Sequence, residues 1–275
     1  RRGECVLGLD LEKAVQPRVE RFGAGETHAR QLDRGHAAAL QRIDAAALTK
    51  IFQVTPANPL VGLEGRAALL SGEAKLTDPE WVAPFTELAR WKDYLGDGFE
   101  AQTYPDSQNL FTLGRAAIYP AGSWEISGFN AQAQFKMGAF APPVVNAGDP
   151  CYISDHTDIA IGMNAKTPNA DAAKTFPEWV GSAEFATLYA NALPGFFSLN
   201  SAPVTMEDPL AQEFVSWRGK CASTIRSTYQ ILSRGTPNLE NETWAASANV
   251  IKGTETPEDA SAKLQAGLES WYKPM

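Results

Sequence analysis

The chain has 275 residues, with 24 Lys and Arg against 32 Asp and Glu and a formal charge of −8. Apolar residues make up 44% and charged residues 20%, which excludes a disordered chain, a collagen and a disulfide-dense miniprotein. The acidic balance argues against a nucleic-acid or anionic-membrane partner, and no apolar run reaches the roughly 18 residues a transmembrane helix needs.

The first 50 residues differ from the rest. They carry nine Lys and Arg, seven Asp and Glu, and one of the 27 aromatic residues, Phe22. Such a segment forms helix but builds little core. It begins Arg1-Arg2-Gly3-Glu4-Cys5, with neither an initiator Met nor an apolar signal region, and so reads as a mature form, a fragment or an incomplete gene product. Residues 36–50, rich in Ala and Leu, predict helix.

A short helix is expected over Glu64–Leu70. Thr77-Asp78-Pro79-Glu80 then starts a longer one, with Asp78 as cap and Pro79 at the first helical position. Trp81, Phe85, Leu88 and Leu95 share its apolar face, and Gly96 and Gly98 end it. A helix at 107–113 closes at Gly114, and Ala116–Tyr119 reads as a short strand. Further strands are expected at Phe135–Phe140 and Asp158–Met163. Thr167-Pro168 opens a helix that Pro177 should kink or stop. Ser182 opens the next, with Phe185, Leu188, Tyr189 and Ala192 on one face. Helices are expected over Asp208–Trp217 and Ser223–Leu232, and a last one after the cap Thr256.

Five motifs in order resemble those of the extracellular solute-binding proteins of ABC sugar importers, the maltose-binding-protein-like group. They are LTDPEW (76–81) leading to WKDYL (91–95), LFTLGRAAIYPAGSWE (110–125), IAIGMNAKTPNADAAKTFPEW (159–179), LPGFFSLNS (193–201), and TPNLENETW (236–244) with NVIKGTETPEDA (249–260). The resemblance implies an α/β, helix-rich, type II two-lobe fold with an incomplete N-terminal lobe. It covers residues 46–275: most of the C-terminal lobe, plus about 164–205 returning to the N-terminal lobe. Segment 1–45 is unmatched and is expected to be either aberrant sequence or a divergent helical extension. The implied function is periplasmic capture of a sugar in an inter-lobe cleft and delivery to the permease, by a monomer with no catalysis, cofactor or metal.

Candidate ligand residues follow. Trp124 matches a sugar-stacking position; a Trp after a strand gives a flat plate for the C–H faces of a sugar, and a core Trp is the alternative. Glu125 beside it offers a hydroxyl acceptor or is a surface charge. Asp155 and His156 form a polar cluster read as a hydrogen-bonding loop, a metal or catalytic site, or a solvated turn; a lone His argues against zinc. Gly195, Phe196 and Phe197 match the lobe-connecting segment, with the two rings expected to face opposite ways. Trp244 matches a second stacking position, against a buried helix face as its alternative. Arg226 and Tyr229, one turn apart, would flank the cleft. Cys151 and Cys221 would form a disulfide in an exported protein, with two buried thiols as the alternative, leaving Cys5 over. Two other readings stay open: a glycoside hydrolase pairing Glu125 with Asp155 or Asp158, and a chain too incomplete to bind.

Overall fold

A computed structural model describes residues 4–7, 63–95, 98–142, 148–155, 159–198, 200–224, 228 and 230–274. Among these, nine α-helices carry the fold and the strands are short. The helix expected at 36–50 and the sites His156, Asp158, Arg226 and Tyr229 lie outside the described residues.

The first body is helical. It comprises α1 (Leu63–Ser71), α2 (Pro79–Ala89), α8 (Leu239–Lys252) and α9 (Pro257–Glu269). Helices α2, α8 and α9 pack on one another. Trp81, Phe85 and Leu88 come inward at helical spacing from α2 and meet Val250 and Ile251 of α8 and Leu264 and Leu268 of α9. Asn238 and Thr256 cap α8 and α9, accepting from the Asn241 and Asp259 amides at 3.0 and 3.1 Å. Asp78 does not cap α2 this way. Its carboxylate turns back to accept from the Lys75 amide at 2.8 Å. Helix α2 passes into a 3-10 segment, Arg90–Tyr94, before Gly98 reverses the chain with φ 76°.

The second body is built on α3 (Tyr104–Thr112), α4 (Ile126–Gln132), β2 (Lys136–Ala139) and α7 (Pro209–Ser216). Strand β2 pairs in parallel with β1 (Glu4–Leu7). Phe111, fully buried, sits 4.8 Å from Phe129 and 5.7 Å from both Tyr119 and Phe135, ring centre to ring centre. Residues 116–119 form no strand beyond a single β-bridge at Ile118. Their apolar run is explained instead by burial of Ala116, Ile118 and Tyr119.

A second parallel pair joins β3 (Tyr152–Ser154) to β4 (Ala222–Thr224), with Tyr152 opposite Ala222. The residues just before these strands, Cys151 and Cys221, are disulfide-bonded across a separation of 70 residues. Over 223–232 the expected helix is replaced, among the described residues, by β4 and a 3-10 turn at Gln230–Ser233. The β-ladder takes up the backbone groups that a helix would have paired.

Between β3 and α7 lie α5 (Ala170–Val180) and α6 (Ala183–Ala192). Pro177 does not stop α5, which runs on to Val180. The helix buries no residue, so water is available to the carbonyl that Pro177 leaves without a partner. Ser182 caps α6, accepting from the Phe185 amide at 3.1 Å. The buried face of α6 is Ala186 and Ala190, and Leu188 is 58% exposed. Phe185 and Tyr189 stack on its flank at 5.3 Å. Residues 159–163 form no strand; Ile159, Ile161 and Met163 are exposed, and no strand among the described residues pairs with them.

Candidate functional site

Trp124 is set by a tight local arrangement. Gly122 precedes a 3-10 turn, Ser123–Glu125, that runs directly into α4. The indole lies flat on Gly122: a β-carbon there would fall 1.9 Å from the ring. Glycine is therefore required for the ring to occupy its place. The indole N–H is shared between two acceptors, the Tyr104 hydroxyl at 3.0 Å and Glu125 Oε1 at 3.2 Å. The ring is half-buried.

Glu125 is 4% exposed. Its second oxygen accepts from Gln108 Nε2 at 2.8 Å. Burial raises the carboxyl from 4.5 to about 7, because desolvation penalises the ionised form. It is thus not a surface charge.

The Pro194–Gly195 segment rests on this turn. Ser127 donates to the Pro194 carbonyl at 2.8 Å, and a β-carbon on Gly195 would fall 1.8 Å from the Ser123 carbonyl oxygen. Trp124, Glu125 and Gly195 are brought together in this way. Phe196 and Phe197 take different partners, as adjacent residues of an extended segment do. Phe196 meets Tyr189 edge-on at 6.4 Å. Phe197 packs on the second body, and the Arg218 guanidinium lies 5.5 Å from its ring centre.

Arg218 also clamps Asp155, donating from Nε at 2.7 Å and Nη2 at 2.8 Å. Asp155 is therefore held as a paired carboxylate rather than an open loop acceptor. Trp244 stands apart, half-buried on α8 of the first body, with its indole N–H enclosed and without a hydrogen-bond partner among the described residues. Among the described residues no group of three His, Cys, Asp or Glu is placed to hold a metal ion.

Three residues of this neighbourhood were not singled out from the sequence: Tyr104, Gln108 and Arg218. The signal for the first two was present. Thr103 and Asp106 form a capping box, with the Thr103 amide donating to Asp106 at 2.7 Å, and this starts α3 at Tyr104, three residues earlier than the expected helix. An earlier start puts Tyr104 and Gln108 four apart on one face.

The family model for bacterial extracellular solute-binding proteins matches residues 39–211, more than half of the chain. No curated protein matches the sequence. Among solved structures, a chitin oligosaccharide binding protein is 20% identical at a TM-score of 0.66, covering 82% of this chain and 56% of its own. The solute receptor AcbH, described as exclusive for β-D-galactopyranose, is 17% identical at 0.61, covering 89% and 64%. A cyclo/maltodextrin-binding protein complexed with maltotetraose is 18% identical at 0.55, covering 84% and 57%. The chain thus spans a little over half the length of these structures and shares the type II two-lobe binding-protein fold. With that fold and that family match, the chain belongs to the bacterial extracellular solute-binding proteins.

Proposed function

We propose that this chain is the carbohydrate-binding component of an ABC importer, capturing a neutral sugar and delivering it to the membrane permease without catalysis. One observation carries this reading: the Trp124 indole is laid on Gly122 and fixed at its N–H by Tyr104 and Glu125. A sugar packs its C–H face on such a plate, while its hydroxyls need polar partners at the rim. The sugars named for the structural neighbours, from galactopyranose to maltotetraose, support the class without selecting one member. The protein works as a monomer in the periplasm. Residues 46–275 form the binding-protein region, with about 164–205 returning to the other lobe and crossing back through Pro194–Gly195, which rest on the Trp124 turn. The exposed apolar side chains of Phe176, Trp179 and Leu188 support that division, as a face for further polypeptide. The family match begins at residue 39, so it takes in the end of segment 1–45.

Calorimetric titration with galactose, raffinose, maltotetraose, chitin oligosaccharide and xylo-oligosaccharide tests the reading. Saturable binding of one sugar, weakened at least about tenfold by Trp124→Ala, is expected. Binding unchanged in that variant would refute the site. A second reading, a chain that needs further polypeptide before it binds, is favoured by the same exposed side chains, and failure of every sugar to bind would decide for it.

A further inference from the structure

We propose that Arg218 is a positioning residue of the hinge, its one guanidinium tying together the two segments through which the chain passes between lobes, at Asp155 and at Phe197. This rests on the two-lobe division of residues 46–275 and adds a device to it. Asp155 stands where the chain leaves β3 toward residues 164–205, and Phe197 stands where it returns past Pro194 and Gly195. Arg218 donates from Nε and Nη2 to the two oxygens of Asp155 at 2.7 and 2.8 Å. The same guanidinium lies 5.5 Å from the Phe197 ring centre.

The guanidinium is itself held in a closed circuit. Arg218 lies in the 3-10 turn Trp217–Gly219 that follows α7, where Trp217 packs on Phe214 at 4.4 Å. The Cys221 amide donates to the Trp217 carbonyl at 2.8 Å, and Cys221 is bonded to Cys151 at the start of β3. Strand β3 leads on to Asp155, which returns to Arg218. Phe197 belongs to another stretch of chain, and the guanidinium reaches it from this circuit. The two contacts differ in kind. The fork on Asp155 is bidentate and charge-assisted, and only a planar guanidinium makes it. The side chains of Arg218 and Asp155 are 33% and 27% exposed, so solvent screens the pair and its contribution is placement rather than stability. The contact with Phe197 is a cation–π approach to a half-buried ring, which shifts an equilibrium by only about two- to fivefold. One contact is a fixed arm, and the other is weak enough to release when the returning segment moves. A hinge needs both, because its segments must be guided and still be free to turn.

Amide exchange followed by NMR on the protein without sugar tests the assignment. Two amides report. Phe196 donates to the Leu193 carbonyl at 3.0 Å on the returning segment, and Ala222 donates to the Cys151 carbonyl at 2.9 Å in the circuit. Asp155→Asn keeps the shape of that side chain and removes the charge that holds the fork. Exchange at Phe196 should rise about two- to fivefold, although the substituted residue lies on the other segment. Phe197→Leu keeps an apolar side chain on the second body and removes the aromatic face. It should raise exchange at Phe196 by a similar factor and leave Ala222 unchanged. The double variant should exchange no faster at Phe196 than Phe197→Leu alone, because both substitutions break one connection. Arg218→Lys keeps the charge without the fork and should speed both amides. Exchange at Phe196 unchanged in Asp155→Asn, or effects that multiply in the double variant, would overturn the assignment. So would an equal rise at every amide in Asp155→Asn, which marks a general loss of stability. The sugar titration decides the binding reading separately. Coupled exchange in a protein that binds no sugar of the panel leaves the Arg218 link standing and the binding reading failed. Sugar binding without coupled exchange does the reverse.

Discussion

Gly195 and Ser123 touch backbone to backbone: a β-carbon on Gly195 would fall 1.8 Å from the Ser123 carbonyl oxygen. Gly195 also has φ 101°, a region that side chains avoid. Both facts forbid any larger residue. Gly195→Ala should therefore cost at least about 2 kcal/mol in urea unfolding and displace the Trp124 turn. A cost below about 0.5 kcal/mol would mean that the segment does not rest on the turn as described.

The second prediction concerns pH. Glu125 has a folded-state value of about 7 against an ordinary 4.5. Between those values the native state holds the extra proton, so stability falls as pH rises through this window and is flat outside it. The full effect is on the order of 3 kcal/mol. Glu125→Gln should flatten the slope between pH 5 and 8 and be more stable than the unaltered protein at pH 8. A parallel slope in the variant would place the titration elsewhere.

A third prediction follows from the disulfide. Cys151 and Cys221 close a separation of 70 residues immediately before β3 and β4. Constraining a loop of that size contributes roughly 4 kcal/mol in the chain-entropy view. Replacing both cysteines by Ala should lower stability by an amount of that order and loosen the pair formed by Asp155, just after β3, and Arg218, just before Cys221. Amide exchange in β3 and β4 that is unchanged in the variant would rule out a clasp role.

The exposed apolar side chains give the fourth. Ile161 is 49% and Leu188 58% exposed. Lysine at both positions should leave stability within about 0.5 kcal/mol and lower the binding of an apolar dye. A large loss of stability would show these residues to be packed in solution.

The helical frame was legible from the sequence because its signals are local. Pro79, Ser182, Asp208 and Thr256 mark helix starts by cap and ring chemistry, and all four mark starts in the structure. The misread segments depend on distant partners. Ala116–Tyr119 and Ile159–Met163 have strand composition, yet a strand exists only where a neighbour pairs along its length, and the first segment makes a single bridge at Ile118. Ser223 reads as helix until Cys221 and Cys151 set it in a parallel pair. Of the site, Trp124 stood out as a residue type after a glycine. Tyr104 and Arg218 did not, because each matters through a partner 20 or 63 positions away.

The indole, its glycine bed and its hydroxyl and carboxyl neighbours all lie between Tyr104 and Glu125, on one side of any cleft. On the proposed sugar-binding reading, such a half-site is in place before anything closes over it. Solute encounter would then need no prior rearrangement, and arrival would run at the ordinary rate of diffusion to a small patch. Whatever surface later covers the sugar would govern how long it stays, not how fast it lands.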